Sequence, residues 1–188
     1  MKKILIIISL AVMTLMVASC TEDATSEGTA TVEQMYKGMM ASYRGSYPLN
    51  NIPQQIYFTI DEQSNVIVNR FPLNLVFVKL YPQDYSSITE PEEAVSLKAP
   101  IKGFNLNTSF IEFSTDLDNT EPLRFKFMKD GEEHIGWAMV HVVGVYNQSM
   151  TTMTIQFTVT DLVIDNVDMK DMIPIHYFVD SAMKEISK

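Results

Sequence analysis

LRFKFMKDGEEHIGWAMVHVVGVY, residues 123–146, carries the strongest structural signal in this chain. Leu123, Phe125 and Phe127 alternate with Arg124, Lys126 and Met128. That period of two marks a strand with one buried face. Asp130-Gly131 follows, and this dipeptide favours a two-residue hairpin turn because both positions take positive φ readily. The return strand sets Ile135, Trp137, Met139, His141, Val143 and Val145 on one face. Gly136, Ala138, Val140, Val142 and Gly144 fall on the other. Both faces are largely apolar, so a central strand covered on both sides is expected.

Beyond it, Tyr146 to Ser149 turns the chain. Met153, Ile155, Phe157, Val159 and Val163 then read as inward, and Thr152, Thr154, Gln156, Thr158 and Thr160 as outward. Ile175 to Ile186 reads as a last strand, although its pattern also permits a helix. Upstream, Tyr43 to Leu49 is a short strand. Gln54 to Asp61 and Val66 to Asn69 form a hairpin around the turn Asp61 to Asn65. Val32, Met35, Tyr36, Met39, Met40 and Tyr43 recur at helical spacing, with Thr31 and Gln34 as a capping box and Gly45 as the stop. Leu73, Val76, Phe77 and Leu80 also have helical spacing. Pro82, Pro91 and Pro100 punctuate an irregular stretch that ends near Asn107.

Sequential hairpins without strand–helix–strand alternation predict a mainly β fold. The expected architecture is an antiparallel β-sandwich or partly open barrel with one or two short helices, the alternative being a lipocalin-like barrel. Tyr43-Arg44-Gly45-Ser46-Tyr47 could open such a barrel. The Gly-x-Trp of lipocalins is absent there, since Trp137 lies much later, and this speaks against a lipocalin ligand cavity.

The amino terminus is a targeting signal. Lys2 and Lys3 precede an apolar run from Ile4 to Ala18, closing on Val17-Ala18-Ser19-Cys20. This is a basic region, a hydrophobic region and a small-residue cleavage site. A small residue followed directly by Cys20, the only cysteine, resembles the lipobox of bacterial lipoproteins. The resemblance implies cleavage before Cys20 and lipid on its thiol. Thr21-Glu22-Asp23 resembles the acidic export signal of Bacteroidetes surface lipoproteins, with Glu22 and Asp23 directing display outside the outer membrane. The alternative destination is the periplasmic leaflet. The chain thus divides into a signal peptide at 1–19, a lipidated cysteine with flexible acidic tether at 20–31, and a single β-rich domain at 32–188.

Charge excludes one class of partner. The formal charge is −9, and loss of Lys2 and Lys3, two positive charges, would take it to −11. No basic patch is present to hold phosphate backbones, so nucleic acid is not expected. Acidic charge keeps the domain off anionic membrane surfaces, leaving the lipid anchor as the main attachment to the membrane.

Motifs for chemistry are sparse. No Gly-x-Ser-x-Gly elbow, His-Glu-x-x-His or glycine-rich phosphate loop occurs. His134 and His141 are seven apart, an odd spacing that puts them on opposite strand faces. His141, among Trp137 and Met139, reads as a hydrogen-bonded core histidine. His176 is the third. Asp116, Asp118, Asn119 and Glu121 are hard oxygen donors in one loop and form a candidate calcium site. Glu121 stands where an EF-hand needs glycine. Asp161, Asp165, Asp168 and Asp171 form a second acidic series, which could bind calcium and is read as an exposed edge that deters aggregation. The threonine–glutamine face from Thr152 to Thr160 could meet a glycan if tyrosines at 57, 81, 85 and 146 supplied stacking. Asp180-Ser181-Ala182 resembles a Bacteroidetes O-glycosylation motif, which makes Ser181 a candidate acceptor.

The lipobox, the acidic tether, Tyr43-Arg44-Gly45 and the strand closing on Phe71-Pro72 together resemble small uncharacterised lipoproteins of gut Bacteroidetes. The resemblance implies a location and no activity. The expected function is a non-enzymatic surface module that binds glycan, peptide or an envelope protein. Alternatives are a structural subunit of an envelope assembly and a hydrolase with an unrecognised site.

Overall fold

A computed structural model describes residues 32–91, 93–107 and 109–185. In chain order the elements are α1 (Val32–Met39), β1 (Ala41–Leu49), β2 (Ile52–Ile60), β3 (Asn65–Val68), α2 (Asn74–Leu80) and β4 (Ile88–Thr89). β5 (Leu97–Leu106), β6 (Phe110–Thr115), β7 (Leu123–Lys129), β8 (Glu132–Asn147), β9 (Thr152–Ile164), β10 (Val167–Asp168) and β11 (Ile175–Lys184) follow. The fold is mainly β with two short helices, as the alternation patterns predict.

Eight strands close an antiparallel barrel in the order β1, β2, β3, β5, β6, β8, β9, β11 and back to β1. Each strand pairs with the next of these in sequence, so the barrel is an up-and-down meander, compatible with the lipocalin-like alternative. Closure removes the open edges a sandwich would leave.

β8 organises the barrel because it is longer than its neighbours. One edge pairs with β9 from Gly136 to Asn147. The other edge is shared: β7 pairs with Glu132 to Ala138, and β6 with Val143 to Asn147. Where β6 ends, the buried Thr115 hydroxyl accepts from the Val142 N–H at 2.9 Å and thereby satisfies a donor just beyond the paired β6–β8 ladder. The β7–β8 half thus projects past the barrel proper. Its turn has φ of 54° at Asp130 and 87° at Gly131, the both-positive geometry expected of a two-residue hairpin.

The interior is filled by rings. Tyr43 stacks on Phe58, and edge contacts continue through Phe157, Phe71 and Tyr177 to Tyr47. An eight-stranded barrel is just wide enough for side chains to fill it. Both ends carry helices. The Tyr43 hydroxyl donates to the Met39 carbonyl at the end of α1 (2.6 Å), and Lys184 donates to the Gly38 carbonyl (3.1 Å). At the other end Tyr47 donates to the Asn74 side chain that opens α2 (2.8 Å), while Phe77 packs on Phe125 and Phe127.

Several sequence expectations are corrected. The helix at 32–43 ends at Met39, and Tyr43 and Gly45 belong to β1; Thr31, the expected cap, lies outside the described residues. Gly45 serves close approach of strands instead of a helix stop: a Cβ there would fall 2.2 Å from Val179 Cγ1. The irregular stretch before Asn107 contains β5. Pro100 is tolerated there because β5 passes at this point from β3 to β6, and its carbonyl still accepts from the Asp116 N–H at 2.8 Å. Val163 faces outward, and Leu162 and Ile164 face inward. The cause is a bulge: Met139 pairs with Asp161 and Val140 with Val159, which leaves Thr160 as an extra residue that inverts the alternation. Finally, β8 is covered on its even face only. Its odd face is the outside of the barrel, where Ile135 is 56% and Val143 38% exposed.

Candidate functional site

The β7–β8 projection creates the site. Its inner face, Leu123, Phe125 and Phe127, is buried, with Phe125 and Phe127 packed on Phe77 of α2. Its outer face carries cross-strand rows: Arg124 opposite Trp137, and Lys126 opposite Ile135. Val163 of β9 continues the first row beyond Trp137. A cleft of about 990 Å³ opens beside these strands. Residues 89–91 and 93–95 form its opposite wall, and the turn at Asp165 and Asn166 closes one end.

The cleft is amphipathic. Half-buried Trp137, the only tryptophan, and Ile135 supply apolar surface, with Arg124, Lys126, Glu90, Glu93, Glu133 and Asp165 charged around them. Lys126 lies 3.2 Å from Glu133, but both are more than half exposed. Such a pair contributes little to stability and leaves the ammonium accessible.

His134 pins the end of the cleft. Its Nδ1 lies 2.6 Å from Asp165 Oδ2, while Asp165 Oδ1 accepts from the Ile135 N–H at 3.0 Å. The hydrogen bond from His134, then that from Ile135, holds the Asp165 carboxyl below its ordinary range. The imidazole stacks on Phe127. A histidine–carboxylate pair is two-thirds of a nucleophilic triad. Among the described residues, Asp165 is the one hydrogen-bond partner of His134, and no hydroxyl reaches it. The pair therefore fastens the β9–β10 turn to β8.

The other histidines lie on the outer face. His141 and His176 flank Thr158 in one cross-strand row, and His176 Nδ1 is 3.1 Å from both the Thr158 hydroxyl and the Gln156 amide. His141 is thus outside the core, because odd positions of β8 face outward. It does lie on the opposite face from His134, as the odd spacing requires. The threonine–glutamine face is half-exposed. Its flanking aromatic is Phe178, opposite Gln156. Tyr146 is buried and cannot stack from a loop; Tyr81 and Tyr85 are partly buried near α2, and Tyr57 is half-exposed on β2.

Asp116 caps the short turn at Leu117–Asn119. Its Oδ1 accepts from the Asp118 N–H (3.1 Å), its Oδ2 from the Asn119 amide (2.8 Å), and Lys102 approaches at 3.4 Å. These donors lower its pKa, Asn119 foremost. Asp118 is within 3.7 Å of the same lysine, and Glu121 is exposed. Among the described residues no group of three or more His, Cys, Asp or Glu is placed to hold a metal. Ser181 is exposed at φ 56° in a β11 bulge between Val179 and Ala182. Cys20, Glu22 and Asp23 lie outside the described residues. Among the described residues no helix is long and apolar enough to cross a membrane.

The cleft was not legible as a site because its two walls, residues 89–91 with 93–95 and residues 124–128, are distant in sequence. Lys126, between Phe125 and Phe127 at the centre of β7, was the available signal, since a central lysine marks an exposed edge. The chain matches no protein-family model, no curated protein and no solved structure.

Proposed function

We propose that this chain is an outer-membrane lipoprotein, anchored through Cys20 and displayed on the cell surface, whose barrel is a non-enzymatic binding module working through the β7 cleft. The lipobox and acidic tether support the location. The single observation that carries the function is the cleft itself: an open groove holding the only tryptophan among charges of both signs. A ring-filled interior directs binding to the outside. Ligand sites combine apolar and aromatic surface with a few polar groups.

Trp137 is also the reporter. The detergent-solubilised full chain, titrated with glycans and with peptides, is expected to change its tryptophan emission saturably with one class. Ile135→Ala, which removes apolar surface from the cleft, would weaken that response. Saturable binding that leaves the emission unchanged and survives Ile135→Ala would place the site elsewhere and overturn the assignment.

The His134–Asp165 pair favours a second reading, a hydrolase whose nucleophile approaches with its substrate. Turnover of ester or amide substrates that His134→Ala abolishes would establish it.

A further inference from the structure

A strand at the edge of a sheet presents N–H and C=O groups that have no ladder partner. Most of β7 is such an edge. On its inner side β8 pairs with every residue from Leu123 to Lys129. On its outer side β4 pairs only with Met128 and Lys129. Antiparallel pairs alternate between those that exchange hydrogen bonds and those that do not. The two-residue turn at Asp130-Gly131 makes Lys129 and Glu132 a bonded pair, so residues 123, 125 and 127 bond inward. Arg124 and Lys126 then direct their backbone groups outward, over the cleft. Among the described residues no strand pairs with them on that side.

The opposite wall cannot fill the gap. β4 stops at Thr89, Pro91 follows two residues later, and proline has no N–H to extend a ladder. Beyond it the Val95 carbonyl accepts from the Phe71 N–H at 2.7 Å, which draws the wall toward the core and away from β7. The result is a groove beside an unpaired strand edge.

We infer that this edge takes an extended peptide of a partner protein as an added strand, and that the peptide carries basic side chains. The inference rests on the binding-module reading and names its ligand. Arg124 and Lys126 are two residues apart, so their outward groups repeat at about 6.8 Å, the two-residue repeat of another antiparallel strand. Residues 123–127 offer room for about five peptide residues at roughly 3.4 Å each. Four carboxylates line the cleft (Glu90, Glu93, Glu133 and Asp165) against two cations, and the chain carries −9 overall. That balance attracts lysine and arginine and repels acidic sequences.

The test uses the full chain in detergent and three fluorescent heptapeptides. They are Lys-Val-Lys-Thr-Lys-Val-Lys, its glutamate counterpart, and the lysine peptide N-methylated at alternate residues. The lysine peptide is expected to bind saturably and to protect two further amides in the 123–129 segment from hydrogen exchange. The glutamate and N-methylated peptides should each bind about tenfold more weakly, through repulsion and through lost backbone donors respectively. Lys126→Pro removes an outward N–H without touching the β8 ladder and should weaken binding, whereas Lys126→Gln, which removes only a charge that repels the lysine peptide, should leave binding equal or tighter. If the proline variant fails to fold, the N-methylated peptide still decides. Equal binding of the N-methylated peptide, or binding without protection in β7, overturns the inference. So does a homodimer that protects the same amides without peptide. A glycan that changes Trp137 emission while no peptide binds removes this inference and leaves the binding module standing. Failure of every ligand to reach Trp137 removes both.

Discussion

The ring of Phe125 lies over Gly136, its direct partner across the β7–β8 ladder. A Cβ at 136 would fall 2.7 Å from two atoms of that ring and 2.6 Å from Ile164 Cδ1. The same relation recurs higher in β8, where Phe113 covers Gly144 and a Cβ would come within 2.3 Å of its ring. In each case an aromatic ring fills the space a side chain would take, which lets three strands approach closely around β8.

Gly136→Val therefore forces Phe125 and Ile164 apart. The expected loss is about 1–3 kcal/mol, the range for overpacking a filled core. A lowered urea midpoint with unchanged slope checks it. Because Phe125 supports the inner face of β7, ligand response at Trp137 should fall as well.

Thr115 bridges the gap between the two strands that share one edge of β8. Thr115→Val would leave the Val142 N–H buried without an acceptor, at about 1–3 kcal/mol. Thr115→Ser keeps the hydroxyl and should recover most of the loss in the same denaturation measurement.

Asp165 links acid stability to the cleft. Its carboxyl is held below the ordinary range by His134 and then by the Ile135 N–H. Its contribution is fully present above the unfolded carboxylate value of about 3.9 and is lost as pH falls through the lower folded value. Urea midpoints of the parent and of Asp165→Asn should differ near neutral pH and converge in acid below pH 4. A difference that persists unchanged to pH 2 would show that the carboxylate charge is not what the site uses.

Cys20→Ser should abolish metabolic labelling with a fatty-acid analogue and release the protein from membranes, because acyl chains supply the anchoring energy. Unchanged membrane retention would refute the anchor.

Alanine at Glu22 and Asp23 together should reduce cleavage by protease added outside intact cells. Equal accessibility would make the tether a spacer only.

Local chemistry by itself set much of this protein. The alternation in β7, β8 and β9 and the positive-φ dipeptide Asp130-Gly131 depend on neighbours one or two residues away, so strand identity and the hairpin were readable directly. So was the opposite-face placement of His134 and His141, and the basic-apolar-cysteine start that motivates the lipoprotein reading. Closure of the barrel was different. β11 meets β1 across more than 130 residues, and it does so only because Gly45 leaves room for Val179. β5 stayed hidden behind Pro100, whose missing N–H falls where the strand changes partners. The direction of Val163 turned on a single extra residue, Thr160, which has meaning only against the register of β8. The cleft likewise exists because β8 outruns β6, β7 fills the remainder, and Pro91 stops β4 from covering β7. Periodicity shows which residues seek a core; pairing register and strand length decide which edge remains open, and those are properties of the assembled sheet.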